Sequence, residues 1–466
     1  KREIIVTDNP LMAVSGIGSY LESYPYGCTE QITSKIYPVV MLSSANNLKN
    51  TKEVQDVYNA YIQELTKRQK GKAGFTYWSG GSYVYDLPSI YATQLLTDAK
   101  ELGYNVPQDL LNKAVDYLKS ISNQRPNSIE KCQDIAYATY ILARNGIVSA
   151  RTLSVLEDYL EQADKDWKSS LTASYIGATY ILYKNEEKGN QLLKSSVPSY
   201  TKFLFWYDFY DSLTNTARYV YLTGRHAPDI LKENRKLINR IIDEINEGYY
   251  NSFSSAFSLA ALNSVSISSN ASPDFSANGK LVEVDKTNKN KAYFSSEAES
   301  IKVNYKEDNK LGYYYSITSS GFDKNAPKQY SNGIKVTKSY VNKDGKTITS
   351  AKQGDEVTVV LNILRNDITY GKNTMVAITD LIAGGTEILT NKGVNVPYAY
   401  ESHEFREDRA IIYLNIPPKY NKTITYTIKL LSSGDFQVPP AYVESLYNRD
   451  INAVSNNFRF VIDEAN

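Results

Sequence analysis

Apolar residues recur at three- and four-residue spacing from about residue 10 to residue 265, then at two-residue spacing from about residue 275 onward. The chain is therefore expected to be helical first and stranded afterwards. In the first part SIYATQLLTDAKELGY (89–104), DIAYATYILARNG (134–146) and SYIGATYILYKNEEKG (174–189) read as helices apolar around most of their circumference, each with a glycine at its end as a stop signal. Between them lie VPQDLLNKAVDYLKSI (106–121), SARTLSVLEDYLEQA (149–163) and APDILKENRKLINRIIDEI (227–245), which carry one apolar and one charged face. Leu96, Leu142, Leu182, Leu222 and Leu262 fall about 40 residues apart, one buried plus one amphipathic helix per repeat. About six such pairs, with no polar terminal repeat, predict a closed α/α toroid rather than an open solenoid.

Alternation takes over in IKVTKSYV (334–341), EVTVVLNILR (356–365), RAIIYLNIP (409–417) and TITYTIKLL (423–431), with NKDGK (342–346) as the turn between the first two strands. About seven strands after residue 330 predict a β-sandwich. Residues 273–329 form a smaller strand-rich piece that can recruit the N-terminal strand REIIVTD (2–8). The expected layout is a multidomain α + β chain. Residues 1–9 give a strand of a small β domain, 10–272 the helical ring, 273–329 the rest of that β domain, and 330–466 the sandwich.

Composition narrows the function by exclusion. Lysine plus arginine number 52 against 51 aspartate plus glutamate, so the 466-residue chain lacks the basic footprint of a nucleic-acid binder. No apolar run approaches the ~18 residues that would cross a bilayer. Two cysteines and two histidines are too few for a disulfide framework, and a Cys/His metal site would consume nearly all of them, so no metal or cofactor is expected. GKAGFTYWSGG (71–81) lacks phosphate-loop spacing and reads as an interhelical connection, and NKDGK lacks the acidic ligands of a calcium loop. The start at Lys1, without methionine or leader, reads as an internal piece of a longer protein.

The candidate chemistry lies in YPYGCTEQITSKIYPVVML (24–42). A Pro25–Gly27 turn leads into a helix that Cys28 opens, where unpaired N–H groups and the helix dipole favour a thiolate. Gln31 is three residues on and shares the sulfur's face. A thiolate beside a carboxamide can displace ammonia and leave an internal thioester between Cys28 Sγ and the Gln31 side-chain carbonyl. Two plainer readings stand beside it: Cys28 as a small buried hydrophobe, and a Cys28–Cys132 disulfide. Glu30 is a candidate general acid or base, although a glutamate in a first helical turn is favoured by the dipole alone. His226, in TGRHAP, reads as a solvated or capping residue, and His403 as a strand or loop residue without partners.

YPYGCTEQ resembles the thioester region of the bacterial alpha-2-macroglobulin family, with Cys28 and Gln31 at the thioester positions and Thr29 where many animal relatives have glycine. GFTYWSGG (74–81), GYNVP (103–107) and SLTNTARYVYLTGRHAPDIL (212–231) are similar to the family's thioester domain. QGDEVTV (353–359), AITDLIAGG (377–385), FREDR (405–409) and SGDFQVPPAYVESLY (433–447) are similar to its C-terminal macroglobulin-like domain. The resemblance implies a terpenoid cyclase-like toroid carrying the thioester, flanked by the two halves of a CUB-like domain and followed by a macroglobulin-like sandwich. It implies a non-enzymatic, broad-spectrum protease inhibitor whose exposed thioester acylates lysine amines of the attacking protease. Family members shield the bond with a Met-Tyr pair; here the matching residues are Leu446 and Tyr447, an apolar lid in which leucine replaces methionine. A periplasmic or cell-surface location in a bacterium follows by the same resemblance, as do a lipid anchor upstream of these residues and a cell-wall synthesis partner. Two other classes remain open: a carbohydrate-active toroid enzyme using ring-mouth carboxylates such as Asp86, Asp134 and Asp208, and an adhesion or structural module that never crosslinks.

Overall fold

A computed structural model describes residues 2–45, 48–71, 73–199, 209, 211–265, 273–286, 288–295, 297–304, 313–319, 321, 327–365, 373–396 and 400–465. They fall into two compact units, Lys1–Gly321 and Phe322–Asn466.

The first unit opens with the strand Arg2–Thr7, which lies between Lys291–Phe294 and Tyr314–Ser319 and is antiparallel to both. Ile4, Val6, Phe275 and Ala292 form a small core there. Between the first strand and its partners the chain makes helices α1 (Pro10–Ala13), α2 (Ser15–Ser23), α3 (Thr29–Ala45), α4 (Lys52–Arg68), α5 (Asp86–Glu101), α6 (Gln108–Ser122), α7 (Ile129–Arg144), α8 (Ala150–Ala163), α9 (Leu171–Leu182), α10 (Glu186–Ser195), α11 (Ser212–His226), α12 (Pro228–Glu233), α13 (Lys236–Asn246) and α14 (Ser252–Ser264).

Six of these close a ring: α3 packs on α5, α5 on α7, α7 on α9, α9 on α11, α11 on α14, and α14 back on α3. Burial explains which helices are inside. Every residue from Leu171 to Thr179 of α9 and from Ser252 to Leu262 of α14 is buried, whereas α6 buries only one face, including Leu110, Leu111, Ala114 and Leu118. The five periodic leucines all lie on inner helices. The inner helices run parallel, because side chains at equal depth meet: Glu30 and Ser252 in the first turns of α3 and α14, and Asp98, Arg144 and Arg225 near the ends of α5, α7 and α11. One mouth of the ring therefore carries six helix N-termini.

The interior is aromatic and hydroxylated. Tyr37 and Tyr91 stack at 5.6 Å, Tyr137 and Tyr175 at 4.7 Å, and the Arg218 guanidinium lies over Tyr137 at 4.6 Å. Asp98 is fully buried, accepting from the Tyr221 hydroxyl at 2.7 Å, the Tyr37 hydroxyl and Arg144. Burial pushes its carboxyl up, but Arg144, Arg225 and the two hydroxyls more than offset that and leave it below the usual aspartate range.

Two local expectations change. Gly189 is not a helix stop: α9 ends at Leu182, Lys184 takes the left-handed turn at φ 66°, and Gly189 sits inside α10. It is glycine because α9 and α10 touch there; a Cβ on Gly189 would lie 2.7 Å from the Gly177 carbonyl oxygen. NKDGK does form a turn, with Asn342 N–H donating to Lys346 O at 2.9 Å, but it does not join the first two sandwich strands directly. Ser350–Lys352 first pairs in parallel with Phe458–Asp463, and only then does Glu356–Leu364 return antiparallel to Lys335–Val341.

The second unit is built from sheets. Lys335–Val341, Glu356–Leu364, Asn421–Leu430 and Thr386–Ile388 run in that order in one. Tyr400–Phe405, Arg409–Ile416, Thr374–Leu381, Ala441–Ser445, Asn452–Val454 and Tyr330–Asn332 run in another. Their inward positions, including Val336, Val359, Leu361, Ile378, Ile412 and Val443, form the core. Lys338 and Asp380, from different sheets and both fully buried, pair at 2.6 Å. Among the described residues no helix is long and apolar enough to cross a membrane, and no group of three or more metal-binding side chains occurs.

Candidate functional site

Cys28 ends the extended segment that follows α2, and its carbonyl accepts the first helical bond of α3 from Ile32 N–H at 3.0 Å, which makes it the N-cap. Gln31 is then the third helical residue. Cys28 N–H donates to Gln31 Oε1 at 3.0 Å, and Gln31 N–H points at Cys28 Sγ at 3.5 Å. This reciprocal pair is a capping box with sulfur in place of the usual hydroxyl. The local physics of helix initiation thus brings the sulfur and the amide carbonyl of this Cys-x-x-Gln string together.

The environment is dry. Cys28, Thr29, Glu30 and Gln31 are at most 2% exposed. Gln31 Oε1 is satisfied, but Gln31 Nε2 is buried with no hydrogen-bond partner among the described residues. An orphaned buried amide donor costs about 1–3 kcal/mol. The unsatisfied atom is the one that ammonia loss would remove, and the N–H on Oε1 polarises the carbonyl that a thiolate would attack.

Surrounding groups hold the first turn of α3. Thr29 N–H donates to Tyr77 O at 2.7 Å and Thr29 Oγ1 to Thr76 O at 2.5 Å. Arg68, paired with Glu64 at 2.9 Å, reaches Thr29 Oγ1 at 3.3 Å. The glycine-rich stretch read as a plain interhelical connection is therefore part of the site. It forms a small hairpin, Gln69–Lys70 with Gly74–Phe75, extended by a Thr76–Val84 bridge, and Thr76 and Tyr77, just past its second strand, carry the carbonyls that fix Thr29. Glu30 points elsewhere: its carboxylate accepts from Ser34 Oγ at 2.5 Å and from Ser252 Oγ at 3.0 Å, tying α3 to α14. Ser252 and Arg68 carry no sequence signal, being 222 and 39 residues from their partners.

The other candidates are placed as follows. Leu446 and Tyr447 are buried in the second unit, just past the strand Ala441–Ser445, with Leu446 N–H on Met375 O at 3.0 Å and Tyr447 N–H on Ser445 Oγ at 3.4 Å. No disulfide joins Cys28 and Cys132, and burial pushes the Cys132 thiol up to about 11. His226 is half-buried: it ends α11 bonded through Nε2 to the Tyr140 hydroxyl at 2.8 Å. Burial first, then Arg225 and Arg144, pulls its pKa down to about 3. His403 does have a partner, the Tyr400 hydroxyl at 2.7 Å. Asp86 pairs with Lys131 at 2.8 Å and accepts from Tyr117, Asp134 lies within α7, and Asp208 lies outside the described residues.

The first unit is a helical ring with a buried Cys–Gln pair at one helix start, and the second is a β-sandwich; comparison with known proteins finds relatives for both. Residues 333–450 match the family model of the bacterial alpha-2-macroglobulin MG10 domain. The chain is 28% identical over 504 residues to the alpha-2-macroglobulin homolog of Yersinia pestis, covering 98% of this chain and 25% of that protein. It is 28% identical over 470 residues to the alpha-2-macroglobulin of Rickettsia conorii, covering 96% of this chain and 24% of that protein. Among solved structures, native Escherichia coli alpha-2-macroglobulin from domain MG7 to the C-terminus superposes with a TM-score of 0.79 at 18% identity, over 99% of this chain and 77% of that one. Salmonella alpha-2-macroglobulin superposes with a TM-score of 0.80 at 19% identity, over 99% of this chain and 31% of that one. Over nearly its whole length the chain is similar to bacterial alpha-2-macroglobulins, and it spans about a quarter of the length of the curated relatives it matches.

Proposed function

We propose that Cys28 and Gln31 form an internal thioester, and that this chain is the warhead-bearing part of a protease trap. The carrying observation is the capping box in which Cys28 N–H holds Gln31 Oε1, Gln31 N–H faces Cys28 Sγ, and Gln31 Nε2 has no partner among the described residues. Sulfur attack on the Gln31 side-chain carbon forms the C–S bond, breaks the C–N bond and releases the nitrogen as ammonia with the thiol's proton. The burial of all four residues of the string keeps water from the bond, which would otherwise be lost to hydrolysis.

A primary amine reverses the sequence: it takes the Gln31 acyl group and sets the Cys28 thiol free. In the proposed trap that amine is a lysine of the attacking protease, each site reacts once, and the chain is no enzyme. Leu446 and Tyr447 are proposed as shielding residues, and the 10–272 ring, the CUB-like flanks and the 330–466 sandwich as the functional domains. The location proposed is outside the cytoplasm of a bacterium. The Salmonella relative, solved reacted with methylamine, supports amine chemistry as the readout. Isotope-labelled methylamine should enter at Gln31 with one new thiol at Cys28, located by peptide mapping. Label spread over other residues, or none taken up, overturns the proposal.

A further inference from the structure

The loop that holds Thr29 also carries a graded line of aromatic rings. Tyr83 is 70% exposed, Tyr85 36% and Tyr77 7%. The Tyr83 and Tyr85 rings meet edge to face at 4.8 Å, and Tyr85 and Tyr77 at 5.3 Å. The line starts in solvent and ends at the residue whose carbonyl is bonded to Thr29 N–H, one position from Cys28. The loop is fixed in this shape by the Thr76–Val84 bridge and by Tyr85 N–H on Phe75 O at 3.3 Å.

A lysine approaching the site is a cation, and the mouth it approaches carries six helix N-termini, whose partial positive charge opposes it. Aromatic faces attract ammonium groups and not neutral water. We infer that Tyr83, Tyr85 and Tyr77 form a lane that captures the primary ammonium of a lysine side chain and leads it to the Gln31 carbonyl, an assignment that rests on the thioester reading above. Burial and the helix termini favour the neutral amine, so the ammonium gives its extra proton to solvent water as it leaves the exposed end of the lane. The amine nitrogen then bonds the Gln31 carbonyl carbon, the C–S bond breaks, and the second proton leaving nitrogen ends on Cys28 as the thiol. The lane discriminates for amines over hydroxylic nucleophiles before any bond is made.

The test measures the rate of Cys28 thiol release in the whole chain with two nucleophiles: a lysine amide, cationic at neutral pH, and hydroxylamine, which is neutral there. A Tyr83→Ala/Tyr85→Ala variant should react about 2- to 30-fold more slowly with the lysine amide, the range expected for cation–π contacts, and unchanged with hydroxylamine. Tyr83→Phe/Tyr85→Phe, which keeps the rings, should retain the parent rate. Equal losses with both nucleophiles, or no loss, overturn the lane while leaving the thioester in place. A parent chain that releases no thiol with either nucleophile overturns the thioester reading, and the lane with it.

Discussion

Replacing Cys28 by serine or by alanine separates the two roles assigned to its side chain. Serine preserves a side-chain acceptor for Gln31 N–H, now in the ordinary Ser-x-x-Gln form of the capping box, whereas alanine removes it and leaves a buried donor without a partner. Neither variant can form the thioester, and the two differ by one hydroxyl, so comparing them isolates the cap. Loss of an N-cap acceptor costs about 1 kcal/mol, roughly a fivefold change in the opening equilibrium of the first turn of α3. Amide hydrogen exchange at Gln31 and Ile32 reads that opening directly. The alanine variant should exchange about fivefold faster there than the serine variant, with no difference in α9 or α14. Equal protection in both variants would show that the side chain at position 28 does not organise the turn, and the structural reason for the Cys–Gln approach would fail.

The remaining predictions concern the neighbouring groups. Gln31→Glu keeps an acceptor for Cys28 N–H and should fold normally, yet show no methylamine uptake by mass spectrometry. Glu30→Ala strands the buried Ser252 hydroxyl where α14 closes on α3, and should lower stability in urea by about 1–3 kcal/mol. Asp98→Asn leaves buried Arg144 short of its main partner and should cost ~3–5 kcal/mol. With its carboxyl held below 3.8, Asp98 lets the unfolded state protonate first, so its contribution is complete above that pH and fades only as acid takes the pH down through the folded value. His226 acts earlier: unfolded, it takes a proton near 6.5, while folded it resists down to about 3, so stability should fall as pH drops below 6.5. His226→Gln should flatten that stretch of the urea-stability profile.

The ring could be read from sequence because burial on all sides leaves a chemical mark: α9 and α14 are apolar or small-polar at every position, and their amphipathic partners are not. The sandwich strands were legible through alternation for the same reason. Contact between helices left no such mark, so Gly189 looked like a stop until α9 was seen against it. At the site, the spacing of Cys28 and Gln31 put both on one face, but the backbone bond to Oε1 depends on Cys28 taking the N-cap position rather than the first helical turn. The Glu30–Ser252 tie and the Asp98–Tyr221 bond, which spans 123 residues, exist only once the ring has closed.

The most direct test is the intact mass of freshly purified, amine-free protein. The account predicts a mass one ammonia below that of the sequence, with Cys28 unreactive toward iodoacetamide until an amine is added. A mass equal to the sequence, together with a Cys28 thiol that alkylates in the native chain, would contradict it.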